Sequence, residues 1–378
     1  METCEERLIH ILKKVQAGPV MSLPCEKIRG LLSIIDKEFL HIGLTREEEG
    51  VGISAGAALA GKRPCMFVQS SGMGNMLNAL MSLTKTYSLP LSIFVSWRGV
   101  YNEKIQAQVP LGRALQGVLD ACGISHTVLE KEEDLSLLEE RLSMVYEKKE
   151  IRVFLMSPLL WNGGISGTSE TQREVPLMRN IQRPLRKFFR RYTRFDFIEA
   201  LASILNGEVV VSNLGIPSKE LFYIRHRPLN FYMLGSMGMA TAIGTGLSLF
   251  TDRRVIAIDG DGSLLMNPGT LGTVASLSPE NLFVVAIDNG SYGSTGDQPT
   301  LSSRCVDLEA VARAFGIMRT QKTDSPRELV KILRNKKKGP FFIHVIARPG
   351  NKEVPDIPLT PLEIRELFSN ALLQDGSP

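Results

Sequence analysis

One stretch limits what this chain can fold into, residues 255–296: VIAIDGDGSLLMNPGTLGTVASLSPENLFVVAIDNGSYGSTG. An apolar, β-branched run at 255–258 stops at Asp259-Gly260-Asp261-Gly262. A helix-length segment follows, and a second apolar run at 282–287 ends in Asp288-Asn289-Gly290. Two parallel strands joined by a helical crossover bring both strand ends to one sheet edge, where α/β folds bind ligands. That edge receives the Asp261 carboxylate and the Asn289 amide oxygen. Both are hard ligands suited to Mg²⁺, which takes few protein groups and completes its shell with water and phosphate oxygens. Glycines on either side of Asp261 leave room for a diphosphate against the backbone.

This spacing resembles the thiamine diphosphate signature, in which GDG is followed at a set distance by an Asn pair. Here 25 residues, 263–287, separate Gly262 from Asp288-Asn289. The first Asn of that pair is Asp288 in this chain; the second, the family's metal ligand, is kept as Asn289. The resemblance implies Mg²⁺ on Asp261, Asn289 and the Ser291 carbonyl. It implies cofactor contacts at Gly260, Gly262, Ser263 and Tyr292. The plain alternative is a sheet with an Asp turn and an Asn turn that binds no cofactor.

At 378 residues the chain can hold two cored domains, and 43% hydrophobic with 22% charged residues exclude a disordered chain. The N-terminus, METCEERLIH, lacks the layout of a signal peptide, and no apolar run nears the roughly 18 residues of a membrane span. Five scattered cysteines without a C-x-x-C pair suit free thiols in a reducing compartment. A cytoplasmic protein with no membrane partner is expected. The net charge of +4 is concentrated between Arg173 and Arg194, where eight basic residues face the single acid Glu174. Nucleic-acid binding would call for aromatic-interleaved motifs, which are missing, so the cluster reads as a linker that docks on an acidic surface.

The first half alternates helical and strand patterns, with strands expected at 20–23, 39–44, 65–69, 91–96, 125–129 and 153–155. Thr45 is a plausible N-cap for a small-sided helix that begins with Glu47-Glu48-Glu49, acids that favour a helix N-terminus on electrostatic grounds alone. In that helix Gly50, Ser54 and Gly56 permit close backbone packing. Residues 70–75, SSGMGN, read as a glycine-rich turn into a helix. Residues 158–194 carry Pro, Gly, Ser and the basic cluster. The second half repeats the plan, with strands near 208–212, 230–234, 255–258, 282–287, 317–320 and 341–346 and a helix at 361–373. The expected fold class is α/β, two domains each with a mostly parallel sheet covered by helices on both faces. The boundaries are 1–157, a linker 158–194, and 195–378.

The pattern resembles thiamine diphosphate enzymes, which pair a pyrimidine-binding with a diphosphate-binding domain of one α/β type; no middle domain is expected at this length. The resemblance places the family glutamate at Glu47, with Glu48 open as the alternative, and adds Gly72 and Asn75 beside the cofactor. Gly235-Ser236-Met237-Gly238 resembles the loop whose bulky residue, here Met237, wedges between the cofactor rings. TREEEGVGISAGAALAGK, VQSSGMGNMLNALMSLTKTYSLP, SWRG and AQVPLGRAL are similar to the α subunits of the sulfopyruvate decarboxylase family, and SNLGIPSKELF, NFYMLGSMGMA and DNGSYGSTG to its β subunits. The phosphonopyruvate decarboxylases stand beside it. The resemblance implies decarboxylation of a 2-oxo acid in coenzyme M synthesis, by a homo-oligomer with sites between chains. Arg98, Lys104, Ser218 and Lys219 are candidate donors to a substrate anion. Each has a simple alternative: Arg98 can pair with Glu103, and Ser218 can cap its helix. The rivals are a phosphonopyruvate decarboxylase, a carboligase of the acetolactate synthase type, and a binding protein without activity.

Overall fold

The β-branched and aromatic runs pair in parallel, as strands buried on both faces do. A computed structural model describes residues 2–161 and 188–374. They fall into two compact units, one on each side of residues 162–187. In the first unit the strands are β1 (Val20–Ser22), β2 (His41–Gly43), β3 (Cys65–Gln69), β4 (Leu91–Ser96), β5 (Ser125–Leu129) and β6 (Ile151–Met156), in the order β2-β1-β3-β4-β6-β5. Phe67, Phe94 and Phe154 stack across three neighbouring strands at 4.7 and 4.9 Å and seed its core.

The second unit carries β7 (Val209–Ser212), β8 (Asn230–Tyr232), β9 (Val255–Gly260) and β10 (Leu282–Asp288), then a short hairpin, β11 (Ser291–Tyr292) with β12 (Gln298–Pro299). It ends with β13 (Arg319–Thr323) and β14 (Phe341–Ile346), and the main sheet runs β13-β14-β10-β9-β7-β8. Read from the β8 edge and without the hairpin, this is the strand order of the first sheet. Both sheets are therefore parallel α/β sheets built on one plan.

Three local expectations change. The helix Glu47–Leu59 has Arg46, not Thr45, at its cap position; the Thr45 N–H and hydroxyl instead donate to Glu49 Oε1 inside the first turn. Residues 70–75 are helical from the start, in Ser70–Ala79. Gly50 accommodates side chains rather than a backbone, since a Cβ there would lie 2.5 Å from Met66 Cε and 2.6 Å from Leu44 Cδ1. The hairpin β11–β12 was not foreseen, because two-residue strands have no periodicity to read.

Of the linker, Pro158–Leu160 form one 3-10 turn and Arg194 opens the helix Arg194–Ala202, capped by Thr193. Most of the basic cluster, Arg173 to Lys187, lies outside the described residues. Its last members do meet acids: Arg190 pairs with Asp288 and Arg194 with Glu220. The five cysteines are unpaired thiols. Among the described residues no helix is long and apolar enough to cross a membrane.

Candidate active site

In the second unit the chain leaves β7 towards β8 on one side and pairs with β9 on the other, so the sheet reverses direction between β7 and β9. Such a switch point opens a crevice beyond the carboxyl ends of the strands. A cavity lies there, lined by Asn213 and Leu214 after β7, Asp261 after β9, Asn289 after β10, Met237 and Tyr292. Gly260, Gly262, Ser263 and Ser291 also line it, so eight of the residues singled out in the sequence meet at one place. Gly235 and Ser236 flank it: Ser236 (φ 62°) and Gly238 (φ 91°) adopt left-handed backbone, which turns the loop sharply and aims Met237 at the cavity.

Asp261 is buried. Thr300 Oγ1 donates to its Oδ2, and Ser302 Oγ lies 2.8 Å from the same oxygen. Burial raises the Asp261 carboxyl above the usual range, and the nearby Asp288 charge adds to that, while the two hydroxyls pull it back. Asn289 is buried beside it with Nδ2 unpartnered, while its Oδ1 accepts from Ser291 N at 3.3 Å. The two ends of an amide exchange by a half-turn, and the turned amide would present its oxygen where no protein donor stands. Among the described residues no three His, Cys, Asp or Glu side chains converge as a metal cage. The oxygen-bearing groups here, the Asp261 carboxylate and the Asn289 amide, are of the hard kind that suits Mg²⁺ better than zinc. Gly262 has a second reason to be glycine, because a Cβ there would meet the Tyr292 ring at 2.2 Å. Gly238 N donates to Ser263 Oγ (3.0 Å), and Ser263 Oγ reaches Asn213 Oδ1 (3.4 Å), tying the Met237 loop to the end of β7.

The first unit collects a separate group. The helices that follow β2 and β3 begin at the same sheet edge, and Glu47 in one meets Gly72 and Asn75 in the other. Asn75 Nδ2 donates to Glu47 Oε2 at 2.9 Å, and a Cβ on Gly72 would sit 2.7 Å from Glu47 Oε1. Glu47 is 2% exposed. Glu48 turns elsewhere: it faces Arg46 Nε at 3.4 Å, and burial raises its carboxyl against that charge. Glu49 serves the helix cap. Glu47 alone of the three acids touches the other residues expected at the cofactor.

The four anion candidates fare differently. Arg98 is buried and forked onto Glu103 at 2.5 and 3.0 Å, and its guanidinium holds the Glu103 carboxyl down at about 2. Ser218 caps nothing; its hydroxyl donates to the Ser212 and Asn213 carbonyls at 3.1 and 2.8 Å and pins the end of β7. Lys219 pairs with Asp356. Lys104 is exposed on its loop.

Sequence reasoning missed Asn213, Arg190, Thr300, Ser302, Asp307 and His344. His344 Nε2 lies 2.9 Å from Asp288 Oδ2, and Arg190 Nη2 3.3 Å from Asp288 Oδ1. Burial would raise Asp288, but His344 and Arg190 outweigh it and hold that carboxyl below its usual range. The departure of Asp288 from the Asn-Asn pair was the available signal, since a buried carboxylate needs donors from somewhere.

Residues 2–124 match the N-terminal, and residues 218–345 the C-terminal, thiamine pyrophosphate binding domain of thiamine pyrophosphate enzymes. The chain is 43% identical to a sulfopyruvate decarboxylase of Methanosarcina acetivorans, over 97% of both chains. It is 34% identical to a phosphonopyruvate decarboxylase of Streptomyces viridochromogenes, over 92% of this chain and 90% of the other. It is also 46% identical to a sulfopyruvate decarboxylase subunit beta of Methanococcus maripaludis, covering 48% of this chain and 97% of that subunit.

Proposed function

The chain belongs to the thiamine pyrophosphate-dependent decarboxylases, and from that premise we propose that it removes CO₂ from 3-sulfopyruvate, releasing sulfoacetaldehyde, with Mg²⁺ as the second cofactor. The single observation that carries the substrate is 43% identity to a sulfopyruvate decarboxylase along 97% of both chains, against 34% to a phosphonopyruvate decarboxylase. The loop after β4 supports it. Because Glu103 occupies Arg98, that loop offers little net positive charge, which suits a singly charged sulfonate better than a phosphonate of up to two charges.

Bound thiamine pyrophosphate supplies an electron sink for the bond that breaks when CO₂ departs. Asp261, Asn289 and the Ser291 carbonyl would hold Mg²⁺, and Gly260, Gly262 and Ser263 would let the diphosphate lie against the backbone. Tyr292, packed on Gly262, covers the same place, and Met237 stands beside it. In the first unit Asn75 fixes Glu47 Oε2, so Oε1, facing Gly72, is the oxygen left to carry and deliver a proton to the pyrimidine. Gly235 would offer its carbonyl, next to Ser236, to that ring. Lys104, exposed on the loop after β4, would be the cation left to meet the substrate anion. The working form is a homo-oligomer, a dimer or larger, with sites between chains, in the cytoplasm.

The test is turnover of the purified chain with thiamine pyrophosphate and Mg²⁺ on sulfopyruvate and phosphonopyruvate. We expect kcat/KM for sulfopyruvate to be higher by more than about tenfold, ~1.4 kcal/mol of transition-state binding. A ratio at or below one would overturn the substrate and leave the cofactor chemistry standing.

A further inference from the structure

Asp288 stands where the resembling signature has asparagine, and its surroundings say why. Its Oδ1 faces three donors: Gly290 N at 3.0 Å, Ser302 Oγ at 2.8 Å and Arg190 Nη2 at 3.3 Å. Its Oδ2 faces His344 Nε2 at 2.9 Å. Both Asp288 and His344 are buried. The Asp288 carboxylate can only accept, so the ring presents a hydrogen on Nε2 to it. On the far side Nδ1 lies 3.3 Å from Glu309 N and 3.5 Å from Asp307 Oδ1. Asp288 thus meets donors at both oxygens. An asparagine would have to turn its NH₂ either to His344 or to the side that holds Gly290 N and Arg190. Either orientation turns a donor towards groups that donate to the carboxylate, which favours aspartate here.

The effect reaches Asp261 through one hydroxyl. Ser302 Oγ lies 2.8 Å from Asp288 Oδ1 and 2.8 Å from Asp261 Oδ2, yet it has one proton to give. With Gly290 N, Arg190 and His344 already donating to Asp288, that proton is free to go to Asp261. Thr300 Oγ1 donates to the same Asp261 oxygen. Both hydroxyls then converge on Oδ2, and neither occupies Oδ1, which keeps a lone pair for a cation.

We propose that Asp288 and His344 are a positioning pair that, through Ser302, sets the rotamer and the free lone pairs of Asp261 and so tunes its affinity for a divalent cation. This rests on the reading that Asp261 and Asn289 hold Mg²⁺. Outer partners of metal ligands typically contribute about 10–100-fold in metal affinity.

The experiment is calorimetric titration of thiamine pyrophosphate at a series of Mg²⁺ concentrations, with the melting temperature of the cofactor-free protein recorded for each variant. Asp288→Asn should weaken the Mg²⁺ dependence at least tenfold, with cofactor-free melting lowered by only a few degrees. In Asp288→Asn/His344→Gln the glutamine oxygen can accept the new NH₂, so affinity should recover to within about threefold. Affinity within twofold of wild type in Asp288→Asn would overturn the proposal. So would a double variant no better than the single, or a single variant already unfolded without cofactor at the titration temperature. Wild-type protein that binds the cofactor without needing Mg²⁺ would instead overturn the cation site itself.

Discussion

Replacing Glu220 by alanine leaves a guanidinium buried without its counter-charge. Glu220 is fully buried and takes both arms of Arg194, Nε at 2.8 Å and Nη2 at 3.1 Å, while the Arg194 side chain is only 8% exposed. The Lys352 N–H also donates to Glu220 Oε1 at 3.2 Å. Breaking a buried pair from one side costs about 3–5 kcal/mol, because the remaining charge cannot regain its hydration. Asn351 Oδ1, still 2.8 Å from Arg194 Nη2, keeps the loss towards the lower end. At about 2–4 °C per kcal/mol for a unit of this size, the melting transition of the second unit should fall by ~6–15 °C. Removing both charges is different, since the desolvation cost of the pair goes with them. Arg194→Met/Glu220→Leu should therefore melt within a few degrees of wild type. Scanning calorimetry of the full chain reads both. If the double variant is as damaged as Glu220→Ala, the loss comes from packing, and the unpaired-charge reasoning is refuted.

Asp261→Ala removes the anionic ligand and should abolish thiamine pyrophosphate binding in a calorimetric titration with Mg²⁺; wild-type affinity would remove Asp261 from the metal site. Glu47→Gln should keep the cofactor but lose at least about 10²-fold in turnover, the usual contribution of acid–base catalysis. Near-normal activity there with a dead Glu48→Gln would move the assignment by one residue. For Glu103, Arg98 depresses the folded carboxyl to about 2. A depressed acid lends stability above its unfolded pKa of about 4.3 and loses it as pH falls towards 2. Acid unfolding curves of wild type and Glu103→Gln should accordingly converge across that window, and parallel curves would count against the pair.

The legible part of this chain was what lies in one short stretch. Residues 255–258 and 282–287 announce two buried parallel strands, observed as Val255–Gly260 and Leu282–Asp288, and Asp261 and Asn289 follow at their ends. By chemistry Glu47 was one of three like acids, and the resemblance placed the role at Glu47 with Glu48 left open, because the two differ in what they touch. The network around Asp261 was not legible. Arg190, the pair Thr300 and Ser302, and His344 come from three separate segments, and only the sheet brings them within hydrogen-bond reach of one carboxylate or its neighbour. Residues 70–75 misled for a related reason. Two glycines in six residues argue for a turn, yet Gly72 sits in a helix because the Glu47 side chain fills the space a Cβ would need. Tertiary packing overrode local propensity.

Each sheet closes with strands drawn from its own stretch of chain, in the same order. The polypeptide therefore passes from one unit to the other once, and neither sheet would lose a strand if that passage were cut. The subunit beta of Methanococcus maripaludis, a separate polypeptide aligned over 97% of its length to 48% of this chain, is that situation in nature. What the covalent join changes is supply. Two separate polypeptides must be made in balance and must find each other by diffusion. A joined chain fixes the ratio at one to one.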